Sequence, residues 1–519
     1  MSDTFFGHPR GLATCFFTEM WERFTYYGMR AVLVLFLVGA VSHGGFGIDD
    51  KTAVAIYGLY TAGTFLAALP GGWIADRLIG AQRAVLIGGC AIALGNALLV
   101  LSSSPRSFYF GLFVIILGVG LLKPNISAIV GQLYPEGGAR LDAGFNLFYI
   151  GINVGAFLGP LITGEAQQLF GNRAGFAAAG LFMALGALQF YLTRRHLGEA
   201  GKAIAESPTV TRGSGPGDTG LRGSGPGGSG PGGTGPGGAR FVKPWLGLWV
   251  CVAILASISG ALYFGLISIN PVNLARSTAG LIVGMAVLYF AYFFIFGKLT
   301  REESRHGIVL VVLFLGCALF FSGYEQAGSS MNLFAERYTD RVISTLHFTI
   351  PAEWFQSLNP IYIVVFAPLF AWLWIALAKR HLNPSVPAKF AIGVILMGSG
   401  FLVMAAGASI VASGSKVSSS WLIMAYLLHT YGELCLSPVG LSYFTKLAPK
   451  RFVGQLMGMW FLAISMGNLI AGLIAGEFDA EHVAAMPGQY LHIVYFSVGL
   501  GTVLLILSRP VKKLMGRIE

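Results

Sequence analysis

Long apolar runs dominate this sequence and leave few folds open to it. They lie at about 12–40, 52–75, 84–103, 108–131, 144–169 and 175–193, then at about 245–268, 277–297, 308–328, 354–378, 388–411, 419–446, 453–475 and 489–508. A helix needs about 20 apolar residues to cross a bilayer. Backbone groups in lipid must find hydrogen bonds within their own segment. The runs therefore predict an all-α integral membrane protein with 14 spans. The short alternating segments of a membrane barrel are missing. Only 11% of the residues are charged, too few to cover a soluble domain, in which about a quarter are. The N-terminus lacks the basic start, short apolar run and cleavage site of a signal peptide, so the first span is expected to be retained. The five cysteines all lie inside apolar runs, with no CxxC spacing, and read as core residues.

A formal charge of +11 would suit nucleic acid if it were gathered in one patch. It is spread through short loops instead, which makes it a topology signal, and no nucleic-acid partner is expected. With both termini cytoplasmic, 24 Lys and Arg fall on the cytoplasmic side, among them Arg77, Arg83, Arg194, Arg195, Lys379, Arg380, Lys512 and Lys513. Seven fall outside: Lys51, Arg106, Arg173, Arg276, Arg337, Arg341 and Lys416. The excess predicts a multi-pass protein of the inner membrane with both ends in the cytoplasm.

The chain divides into 1–200, a six-helix bundle; 201–243, a linker; 244–300, a two-helix hairpin; and 301–519, a second six-helix bundle. The linker contains GSGPGGSGPGGTGPGG, a composition that buries no core and acts as a flexible tether. Between Trp245 and Lys298 the only Asp, Glu, Lys, Arg or His is Arg276. The hairpin is therefore expected to face lipid, the alternative being that it lines a pathway.

Ionisable groups inside a span are costly and mark function. The first span carries Glu19, Glu22, Arg23, Tyr26, Tyr27 and Arg30. At 100° per residue, Glu19, Arg23, Tyr26 and Arg30 share about 60° of arc, with Glu22 and Tyr27 at its edges. A salt-bridge cluster that only pins packing is the plain alternative, but two acids beside two arginines exceed what packing needs. Lys123 in GLLKPNIS, Glu325 in FFSGYEQAG and Glu433 in HTYGELCLSP are the other buried charges. With the hairpin set aside, charges occupy spans one, four, seven and ten, the first of each three-helix unit. Transporters built from nested three-helix repeats place their sites between the halves at mid-membrane. Asn153 and Asn359 add polar groups, which either bridge helices or bind.

Arg23, Arg30 and Lys123 then belong to the first half, Glu325 and Glu433 to the second. This polarity suits a zwitterion with separated ends, held by charge-assisted hydrogen bonds. A carboxyl that exchanges an arginine partner for a proton couples the cycle to protons: Glu325 against Arg30, and Glu19 and Glu22 against Arg23 and Lys123. No phosphate-binding loop, HExxH or GxSxG occurs, and the nine histidines form no ligand-spaced pair. No cofactor, metal or enzymatic activity is expected.

Three motifs carry a resemblance. Glu19-xx-Glu22-Arg23-Phe24-x-Tyr26-Tyr27 resembles the ExxERFxYY signature of proton-dependent oligopeptide transporters of the major facilitator superfamily. Phe145-xx-Phe148-Tyr149-Ile150-x-Ile152-Asn153-Val154-Gly155 resembles their second signature, and Gly71-Gly72-Trp73-Ile74-Ala75-Asp76-Arg77-xx-Gly80 is similar to the superfamily's cytoplasmic loop motif. The resemblance implies a major facilitator fold and proton-coupled import of di- and tripeptides by alternating access. It also implies roles. Arg23 and Lys123 would face the peptide carboxylate with Tyr27 nearby, and Asn153, Asn359 and Glu433 would hold the amino end. Arg30 and Glu325 would pair across the halves, and Trp460 would border a side-chain pocket. Asp76 and Arg77, at a helix end, would latch one conformational state. Phe65 stands where many members carry Tyr, which removes a hydroxyl contact to substrate. The expected partners are small peptides, protons and the bilayer, and the expected working unit is a monomer. The rival readings are the same fold carrying another organic anion or drug-like solute, a membrane enzyme, and a passive channel.

Overall fold

The computed structural model of the chain describes residues 4–136, 138–202, 257, 260, 270–478 and 483–516. Six helices form the first half: α1 (Arg10–Val38), α2 (Asp50–Ile74), α3 (Ala81–Leu101), α4 (Pro105–Gln132), α5 (Gly138–Phe170) and α6 (Ala174–Thr193). After α7 (Pro271–Phe296) come α8 (Arg301–Tyr324), a short α9 (Ser330–Tyr338), α10 (Leu358–Lys379), α11 (Val386–Ala412), α12 (Ser420–Leu447), α13 (Val453–Ala475) and α14 (Met486–Met515). Every apolar run read from the sequence has its helix except 245–268, which apart from residues 257 and 260 lies outside the described residues, as does the linker from residue 203. Several helices outrun their apolar stretch, α5 and α14 most, because helical hydrogen bonding continues into the polar ends.

Among the described residues, 11 helices are long and apolar enough to cross a membrane. Helices α1 and α12 fall outside that set, and the reason is chemical: α1 carries Glu19, Glu22, Arg23 and Arg30, and α12 carries His429 and Glu433. Such helices survive in lipid only when other helices wrap them. Helix α1 packs against α5 and α6 within its half, and α12 packs against α11 and α10. The halves meet where α2 lies along α13, and α7 covers that seam. On α7 one stripe is buried, with Ala275, Ile282 and Phe293, while Leu281, Leu288 and Ile295 are exposed.

Helix α8 departs from the sequence expectation. It stops at Tyr324, Glu325–Gly328 form a tight 3-10 turn, and α9 restarts at Ser330. The run read as 308–328 is thus one broken span, Arg301–Tyr338. The break sits where the Tyr57 hydroxyl reaches Glu325, and a Cβ on Gly328 would lie 2.4 Å from that oxygen. Irregular backbone at membrane depth is tolerated where protein surrounds it.

Arg30, late in α1, meets Glu325 at the end of α8, so these helices run in parallel and begin on one face. His306 near the start of α8 meets the Met515 carbonyl at the end of α14. Both ends of the described chain therefore lie on this terminal face, and the opposite side is the far face.

Helix α1 is held close by a small residue on α5. A Cβ on Gly155 would lie 2.1 Å from the Met20 carbonyl oxygen and 3.0 Å from Arg23 Cβ. Gly155→Val should lower the melting temperature in detergent by about 5 °C, since overpacking costs about 1–3 kcal/mol. Gly131→Ala, where nothing stands within 4 Å, should not; differential scanning fluorimetry reads both.

Candidate functional site

The charged face of α1 points into the bundle. Arg23 Nε donates to Glu19 Oε1 at 2.7 Å and lies 3.2 Å from Glu22 Oε2. Glu19 Oε2 and both Glu22 oxygens are buried without a hydrogen bond among the described residues. One guanidinium thus serves two carboxylates, the arrangement expected from the spacing. Lys123 joins differently from the expectation. Its ammonium makes no ion pair with Glu19 or Glu22 among the described residues; it lies 3.6 Å above the Phe65 ring and 5.8 Å from that of Tyr26.

Two turns further along, Arg30 crosses to the other half. Its Nη1 donates to Glu325 Oε2 at 2.9 Å, and its Nε reaches Gln356 Oε1 at 3.4 Å. The Tyr57 hydroxyl donates to the same Glu325 oxygen at 3.4 Å. Both charged side chains are almost wholly buried, 4% and 5% exposed. Tyr27 lies beneath the guanidinium, 5.0 Å from ring centroid to Cζ.

In the second half, Asn359 Nδ2 donates to Glu433 Oε2 at 2.9 Å and to the Thr430 hydroxyl at 3.1 Å. A small cavity of about 10 Å³ is lined by Tyr27, Arg30, Tyr324, Gln356, Asn359 and His429. Arg23, Arg30 and Lys123 thus stand in the first half together with Glu19 and Glu22, and Glu325 and Glu433 stand in the second. Asn153 donates to the Tyr149 carbonyl within its own helix at 2.9 Å, which leaves its amide oxygen for other partners. Trp460 is buried against Phe444, centroids 5.2 Å apart, inside the second half. Asp76 and Arg77 are exposed on the π-helical turn Ala75–Ile79 after α2, without an ion pair among the described residues.

Hydrogen bonds between the halves gather at mid-membrane and toward the far face. Arg337 grips Asp50 through two bonds of 2.5 and 2.8 Å. Asn332 donates to the Ala31 carbonyl at 2.7 Å, Ser357 to that of Phe157 at 2.8 Å and the Trp354 indole to that of Leu161 at 3.1 Å. The far face is closed. Sequence reasoning passed over Tyr57, Gln356 and His429, whose signal is a polar group in or beside an apolar run. Asp50 and Arg337 sit at span ends, where charge is ordinary, and only the fold pairs them.

A family model described as "PTR2: POT family" matches residues 82–208 and 273–490. The peptide transporter YePEPT of Yersinia enterocolitica subsp. palearctica serotype O:3 (strain YE-P4) is 42% identical, over 99% of this chain and 97% of its own. The di-/tripeptide transporter of Lactococcus lactis subsp. cremoris is 35% identical, over 99% and 98%. A crystal structure of the peptide transporter POT in complex with sulfate superposes with a TM-score of 0.85 at 35% identity, covering 99% of this chain and 97% of that one.

The Asp50–Arg337 pair should hold the far face shut. Arg337→Asp, read by electron–electron distance measurements between spin labels at exposed Val41 and Val342, should lengthen the distances and shift the open population by about 5-fold, the worth of a partly exposed ion pair near 1 kcal/mol. Combining it with Asp50→Arg should restore the short distances.

Proposed function

The chain belongs to the POT family, and we propose that it imports di- and tripeptides together with protons, by alternating access, across the inner membrane. The observation that carries this reading is the split polarity of the site: Arg23 and Lys123 on one half, Glu433 and Asn359 on the other, with Arg30–Glu325 tying the two. The relatives named above are peptide transporters. The protein is a transporter and not an enzyme.

In this reading Arg23 and Lys123, with Tyr27 beside them, take the peptide carboxylate. Asn153, Asn359 and Glu433 take the amino end, and Trp460 borders the space for a side chain. Peptide length is limited because both ends must reach a charged partner. Charge-assisted hydrogen bonds in a dry cavity favour such a ligand. Separating the protein's own charges from their partners offsets much of that gain, which leaves affinity moderate.

Coupling rests on Glu325. In the closed state its partner is Arg30. When the far face opens, α8 and α1 part, and an unpaired charge left in the bundle would be costly. A proton from outside neutralises the acid and lets the halves separate. On closing, Arg30 returns and the proton leaves toward the cytoplasm. Glu19 and Glu22 trade against Arg23 and Lys123 in the same way. The terminal face is the cytoplasmic one by the loop charges, and Asp76 and Arg77 latch it in the opposite state. The unit that works is the single chain. A driving force of 100 mV supplies about 2.3 kcal/mol per proton, enough for roughly 50-fold accumulation at one proton per peptide.

Purified protein in liposomes should accumulate labelled dialanine above equilibrium under an inward proton gradient, and a protonophore should abolish it. Equilibration alone would make it a facilitator. No uptake, with no competition by dipeptides, would assign the fold another solute. Glu433→Gln should raise KM for dialanine by about 10-fold, the worth of one hydrogen bond to a charged group, as the concentration dependence of uptake will show.

A further inference from the structure

Lys123 stands over an aromatic ring. Its ammonium lies 3.6 Å from the Phe65 centroid, and among the described residues it has neither an ion pair nor a hydrogen bond. From α1, Arg23 repels it while Glu22 and Glu19 attract it, and Glu325 attracts it from the other half. An ammonium free to move would turn toward those carboxylates, because α1 offers two acids and only Arg23 to answer them. The ring is what occupies its face instead. An aromatic face attracts a cation without offering the oxygen that an ion pair would. The N–H groups not turned to the ring therefore stay available to an incoming carboxylate.

Phe65 is itself fixed from the opposite half. It sits on α2 where that helix lies along α13, and its ring stacks at 28° with Phe461, centroids 6.4 Å apart. Phe461 follows Trp460, which is wedged against Gly440 of α12; a Cβ on that glycine would lie 2.3 Å from the indole. A column thus runs from Lys123 through Phe65 to Phe461, out of the first half and into the second.

We propose that Phe65 is a positioning residue for substrate: its ring parks the Lys123 ammonium in the cavity, away from Glu19 and Glu22, with its donors turned to the peptide carboxylate. The idea rests on the peptide-transport reading above. In place of a hydroxyl that would contact substrate directly, this chain uses a bare ring that acts through the lysine.

Two arms test it. The first is the concentration dependence of dialanine uptake by liposomes holding full-length protein. Phe65→Leu should raise KM by roughly 5- to 30-fold, the worth of a desolvated cation–π contact, with kcat within about twofold. Phe65→Tyr, which keeps the ring, should stay near wild type. In a Lys123→Gln background, Phe65→Leu should add nothing. An unchanged KM in Phe65→Leu, or a full additional loss on top of Lys123→Gln, would overturn the proposal and leave Phe65 a packing residue. The second arm needs no substrate. Lysines carrying 13C-methyl groups are observed by NMR in detergent, with Lys123 assigned from Lys123→Gln. Its signal should be shifted upfield by the ring and should lose that shift in Phe65→Leu; Phe65→Met serves in its place if the leucine variant does not fold. A Lys123 signal at the position of solvent-exposed lysines in wild type would also overturn the proposal. Absence of dialanine uptake by wild type would instead refute the peptide reading, while the NMR arm would still decide Phe65.

Discussion

Everything in this molecule answers to the expense of holding charge inside a membrane-spanning bundle. Arg30 and Glu325 sit 2.9 Å apart with almost no exposure. A buried pair of this kind contributes little net stability, but removing one partner leaves the other charge uncompensated at about 3–5 kcal/mol. In the proposed cycle the pair works as a lock rather than as glue, shut while both charges are present and opened when a proton neutralises the acid.

The architecture follows from sheltering that lock and the other charges of α1. Helix α1 cannot face lipid, so it is enclosed by its neighbours, and Gly155 permits the close approach of α5. The carboxyl of Glu325 lies at a helix break, which frees its side chain to meet Arg30 and Tyr57 together. Bonds from Asp50, Ala31, Phe157 and Leu161 to the second half then close the far face above it. Lock and closure are one continuous set of contacts, so loss of the first loosens the second.

Much of this was legible in the sequence because lipid makes charge conspicuous. Glu19, Glu22, Arg23, Arg30, Lys123, Glu325 and Glu433 stand out inside apolar runs, and the structure brings them to the interior of one bundle. The Arg30–Glu325 and Asn359–Glu433 contacts join residues that the reading had placed in one site. Partnerships were harder to see. Lys123 was expected against carboxylates, but an aromatic face competes for a cation where hydrogen-bond geometry does not favour the acid. Tyr57, Gln356 and His429 were passed over because a hydroxyl, amide or imidazole in a span is far less conspicuous than a full charge. Neither Asp50 nor Arg337 carries a signal at all, since a charge at a span end is ordinary until the fold shows what it faces. The restart after the break went unread because SMNLFAERY, with Ser330, Asn332, Glu336 and Arg337, lies past the end of the apolar run. The linker from residue 203 and the run 245–268, apart from residues 257 and 260, lie outside the described residues.

The central claim is that Glu325 carries the proton that drives the cycle, and one variant separates that role from substrate binding. Glu325→Gln keeps the shape of the side chain and removes its charge and its proton. Liposomes holding it should exchange labelled dialanine for unlabelled dialanine at a rate close to wild type, yet build up none under an inward proton gradient. If the variant accumulates dialanine as well as wild type does, Glu325 is not the coupling site and the account of the Arg30–Glu325 lock is wrong.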